Sequence, residues 1–141
     1  MCIRDSKSNI DKDNDGIDDQ TDILNNANNY IKTNPKYKRK YYNTGYPNDE
    51  YGVCTDVVAF ALKDAGYDLM ELVNEDIKNN KELYDIDAVD KNIDFRRVKN
   101  LKVYLFTSNA TASSPELIVI CCPERVYVTF FVIFWSFLNC V

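Results

Sequence analysis

Two sets of residues in this chain have the types and spacing to do chemistry. The first is Cys54, within Gly52-Val53-Cys54-Thr55-Asp56. A thiol at a helix start gains from the positive end of the helix dipole, which favours thiolate. A thiolate so placed can attack a carbonyl carbon and carry an acyl group, given a base, most often an imidazole, to take its proton. The chain contains no histidine. By residue type alone, an isolated cysteine is more often a small buried residue than a nucleophile.

The second set is Asp11-Lys-Asp-Asn-Asp-Gly-Ile-Asp-Asp-Gln-Thr-Asp22. It has the twelve-residue spacing of an EF-hand calcium loop, in which carboxylates at alternate positions supply oxygens to the ion. Asp11, Asp13 and Asp15 would give carboxylates, and Gly16 the sharp turn. Ile17 would give its backbone carbonyl and turn its side chain inward. Asp19 would act through water, and Asp22 would close the loop where an EF-hand uses Glu. The shorter Asp reaches less far, which lowers the expected affinity. No helix is evident before Asp11, so the loop resembles the isolated calcium loops of dockerin-like and thrombospondin-like repeats. The competing reading is a solvated acidic linker.

These residues must be held by the elements around them. Thr21 is the expected N-cap of a first helix that places Ile23, Leu24, Ala27, Tyr30 and Ile31 on one face. Asn34-Pro35 ends it, because the residue before proline avoids helical angles. A tyrosine-rich extended connection then spans 36–51, with turn signals at Gly45 and Pro47-Asn48-Asp49. The second helix runs from about Thr55 to Ala65. Its apolar face is Val57, Val58, Ala61, Leu62 and Ala65, and Gly66 suits its C-terminal cap. Asp68 with Glu71 opens a third helix bearing Leu69, Leu72, Val73 and Ile77. Residues 80–95 read as polar and turn-like. Val98, Leu101 and Leu105 suggest a fourth helix.

A length of 141 residues suits one domain. Seventeen basic against 22 acidic side chains give a net charge of -5, which argues against a nucleic-acid partner. The one basic cluster, Lys36 to Lys40, is short and reads as a solvated face beside a turn. Five cysteines, three of them beyond residue 120, do not make a disulfide framework. From Tyr104 onward only Glu116, Glu124 and Arg125 carry charge. The run Val126–Val141 has 16 residues, short of the roughly 20 that span a bilayer as a helix. It suits a buried strand pair, a truncated membrane anchor or translation out of frame. The abrupt change of composition favours the last, so no genuine membrane span is expected. Met1 to Ser6 lacks the apolar core of a secretory leader and looks like a translated adapter fragment. The expected division is therefore a non-native or linker start at 1–9, a domain at 10–103, and an aberrant apolar tail at 104–141.

Tyr46-Pro47, Gly52 to Val58, Ala65 to Leu69, Leu72-Val73, Glu75-Asp76, Asn92 to Val98 and Asn100-Leu101 occur in one order. Together they resemble the bacterial family catalogued as domain of unknown function 1287, over about Asp11 to Val103. Members look like papain-like, NlpC-type cysteine hydrolases, in which a cysteine at a helix start packs against a small antiparallel sheet carrying the catalytic histidine. The resemblance implies Cys54 as nucleophile and an α+β fold whose sheet is missing or replaced here, leaving one face of the second helix uncovered. The family's Pro-Gly-Asp and His-Ile-Gly stretch has no match in this chain. Asp56 could orient substrate or cap its helix. Arg96 and Arg97 could clamp a carboxylate of a cell-wall peptide, or split into an internal ion pair and a solvated charge, with Asp94 as partner. The expectation is an extracytoplasmic cysteine hydrolase fragment, inactive as written. The alternative is a calcium-braced interaction module.

Overall fold

The computed structural model describes residues 10–107. It is helical with one small parallel strand pair. Five helices run in the order α1 (Asp19–Lys32), α2 (Cys54–Asp64), α3 (Leu69–Asn79), α4 (Lys91–Asp94) and α5 (Val98–Thr107). Between α1 and α2, β1 (Lys36–Tyr37) pairs in parallel with β2 (Tyr51–Gly52), Lys36 opposite Tyr51 and Tyr37 opposite Gly52. Among the described residues this two-strand ladder is the whole sheet.

Local chemistry explains where the helices begin and end. Asp18, not Thr21, caps α1: its carboxylate accepts the Thr21 amide at 3.1 Å and the Thr21 hydroxyl at 2.7 Å. Thr21 serves as the donor in that cap, so the helix starts earlier than its apolar stripe. A carboxylate can satisfy both donors at once, which a threonine hydroxyl cannot. Asp68 caps α3 by accepting the Met70 and Glu71 amides. At the end of α2 the amides of Gly66 and Tyr67 return to the carbonyls of Lys63 and Leu62. This is a Schellman closure, and Gly66 takes the required left-handed conformation at φ +85°.

The core forms on both sides of α2. On one side Val57 and Ala61 meet Ala27, with Ile23 and Tyr30 of α1 packed against them. On the other, Ala59 and Leu62 join Leu69, Val73 and Ile77 of α3, then Phe95, Leu101 and Tyr104. The second helix is therefore not left with an uncovered apolar face. The helices α1, α3 and α5 do what the expected sheet was to do. Of the apolar residues on α1, Ile23, Ala27 and Tyr30 turn inward while Leu24 and Ile31 are exposed, because α2 covers a narrower stripe than the apolar pattern offers.

Residues 80–95 carry more structure than their polarity suggests. A single 3-10 turn at Lys81–Leu83 and the short α4 place Tyr84, Asp94 and Phe95 in the interior. Phe95 is fully buried and its ring lies 4.9 Å from that of Tyr46. Helix α5 continues across the compositional seam at Val103, and Tyr104 is buried at 4% exposure. The apolar run Val126–Val141 lies outside the described residues. Among those described, no helix is long and apolar enough to cross a membrane.

Candidate functional site

Cys54 is the first residue of α2, half buried, with its sulfur unpaired as a free thiol. Three features fix the turn that delivers it. The strand pair ends at Gly52, where an added Cβ would lie 2.6 Å from the Tyr30 hydroxyl and 3.5 Å from an Asp56 oxygen. Only glycine leaves that room. Val53 then donates its amide to Asp56 Oδ2 at 2.7 Å, closing the first turn of the helix from within. Thr55 donates its hydroxyl to the Arg96 carbonyl at 2.8 Å and ties the helix start to the loop before α5.

Asp56 and Arg96 meet as a buried bidentate pair. Arg96 Nε lies 2.6 Å from Asp56 Oδ1, and Nη2 lies 2.9 Å from Oδ2. Their side chains are 0% and 4% exposed, so neither presents a group to a substrate. The expected substrate contacts at these two positions are thus replaced by a structural pair. A carboxylate next to a helix start binds a planar guanidinium better than it faces solvent when both are enclosed. The remaining Arg96 nitrogen, Nη1, donates to the Lys40 carbonyl at 2.8 Å. Arg97 takes the other course: it is exposed, with Nε 3.8 Å from Asp94. Burial pushes the Asp94 carboxyl up from its ordinary range, opposed by the Asp90 amide and by Arg97.

Burial also pushes the Cys54 thiol up. The Thr55 amide pulls it down, the Asp56 charge raises it again, and the Arg39 guanidinium lowers it. The helix start alone does not make a thiolate here, because desolvation opposes it. Arg39 lies two residues beyond β1 and is exposed with the rest of Lys36–Lys40, as the reading of that cluster as a solvated face expects.

The acidic loop brings Asp11, Asp13 and Asp15 together, with carboxylate oxygens within 4.8 Å of one another. Asp11 accepts the amides of Asp15 and Gly16, and Asp15 accepts that of Ile17. Asn14 and Gly16 take positive φ, 60° and 92°, which turns the loop back on itself. Asp13 is raised above its ordinary range, by desolvation first and then by its acidic neighbours Asp15 and Asp11. Asp22 is raised for the same reasons, and Asp15 and Asp13 are among the charges that act on it. Asp22 is buried in the first turn of α1, where its carboxylate accepts the Asn26 side-chain amide at 3.0 Å, and it is not part of the Asp11–Asp13–Asp15 cluster.

Asp19 does not join them. It is 2% exposed and accepts the Lys12 amide at 2.8 Å and the Tyr67 hydroxyl. It fastens the loop to the α2–α3 corner in place of holding a water for an ion. Ile17 is 39% exposed, so its side chain does not turn inward: among the described residues no segment covers that side of the loop.

A family model described as "Domain of unknown function (DUF1287)" matches residues 24–118, beyond the last motif at Asn100-Leu101. A protein of Escherichia coli (strain K12) described as "Uncharacterized protein YijF" is 37% identical over 81 residues, which cover 55% of this chain. The chain spans about 40% of that relative's length. No solved structure matches. The match covers the turn at Gly52, the cysteine at the start of α2 and the Asp56–Arg96 pair that holds it, and the chain belongs to the family of domain of unknown function 1287.

Proposed function

We propose that this chain carries the nucleophile half of an extracytoplasmic cysteine hydrolase, an amidase or peptidase acting on cell-wall peptide. The observation that supports this reading is the placement of Cys54: partly buried at a helix start, on a turn locked by Gly52, Asp56 and Arg96. In acyl transfer the Cys54 sulfur would attack the substrate carbonyl carbon. A C–S bond forms, the C–N bond breaks, and the amine leaves with a proton before water hydrolyses the thioester. The chain holds no histidine to move that proton, so by itself it is inactive on this reading. Asp56 and Arg96 act as positioning residues, since they touch the turn and not the substrate side.

The same reading gives the acidic loop a calcium ion. The gathered Asp11, Asp13 and Asp15 carboxylates fit a hard cation, and on the loop spacing Asp22 and the Ile17 carbonyl would complete its set. The ion would neutralise repelling carboxylates and stiffen the loop, which Asp19 already joins to the core. Its role is bracing, because one loop has no paired partner to open.

The decisive test uses a full-length family member that does contain a histidine. Cell-wall stem peptides should be cleaved, and alanine at the position equivalent to Cys54 should abolish turnover. If the intact protein shows no thiol-dependent hydrolysis, the reading fails. A second reading, a calcium-braced interaction module with a structural cysteine, is favoured by one observation: burial raises the Cys54 thiol. It predicts that Cys54 alkylates no faster than an ordinary thiol at mildly acidic pH.

A further inference from the structure

We draw no further inference here: the strongest candidate, the surface patch of exposed Tyr37, Lys38, Arg39 and Tyr41 beside the strand pair, has its neighbouring charges Lys36 and Lys40 matched by Glu50 and Asp49, and nothing in the structure shows what covers it.

Discussion

Asp56 and Arg96 carry the heaviest single demand on the residues around Cys54. Each is enclosed, and each has its charge matched by the other and by backbone groups, with the Tyr42 ring also facing the Arg96 guanidinium at 5.1 Å. Breaking such a pair leaves a bare buried charge, which costs about 3–5 kcal/mol, whereas replacing both partners with apolar groups costs far less. Arg96→Ala should therefore lower stability by that amount in urea unfolding, and the double variant Asp56→Leu with Arg96→Met should recover part of it. An unchanged midpoint for Arg96→Ala would show that the pair is not enclosed in solution. Asp49 shows the opposite, exposed case. The Lys40 ammonium and then the Tyr42 hydroxyl hold its carboxyl down to about 2, below its ordinary 3.8. A depressed carboxylate stabilises the fold above its unfolded value, and the effect is lost as pH falls from 3.8 through about 2. Asp49→Asn should make the acid limb of the stability curve shallower in that window, as followed by circular dichroism; an identical slope would remove Asp49 from the account.

The elements repay attention in the same way. Helix α2 presents Cys54 because a strand, a glycine and a carboxylate three residues into the helix fix its first turn, and because Gly66 stops its last. The loop before α1 is an element too, tied to Lys12 and Tyr67 by the Asp19 carboxylate. If calcium occupies this loop, thermal melts should move up on adding the ion and return on adding EGTA. At a concentration a hundred times the dissociation constant, the stabilisation should be about 2.7 kcal/mol. Asp11→Ala should abolish the shift, since it removes both a ligand and the acceptor for two loop amides. Melts that coincide in calcium and EGTA would return the loop to an acidic linker. The helix starts and stops were largely legible because caps are local: Asp68, Gly66 and Pro35 act within a few residues of where they stand. The start of α1 was misread by three residues because Asp18 and Thr21 both suit a cap, and only their mutual hydrogen bond decides between them.

For the molecule as a whole, α2 is the axis and Phe95 is the piece that joins its aromatic side to α5. Phe95 is fully buried, against Tyr46 and close to the Gly45 backbone. Phe95→Ala should cost about 3–5 kcal/mol through lost burial and the cavity left behind. Val98→Ala, at 52% exposure, should stay within about 0.5 kcal/mol. Denaturant midpoints of the two variants would decide it, and equal values would contradict this core. Phe95 was hidden in the sequence because the apolar residues of 80–95, Leu83, Ile86, Val89 and Ile93 among them, follow neither a helical nor a strand period that would single it out. Arg96 and Arg97 looked equivalent for a related reason, since adjacency says nothing about which of two side chains turns inward. The sequence by itself determined four of the five helices, the Asp68 and Gly66 caps, the alternating carboxylates of the loop and the cysteine at a helix start, because each depends on neighbours along the chain. Only the tertiary structure decided that Asp19 braces the loop and that Arg96 is spent on Asp56. Those outcomes depend on groups 40 or more positions apart coming together, and on burial deciding which charges are matched inside and which stay at the surface.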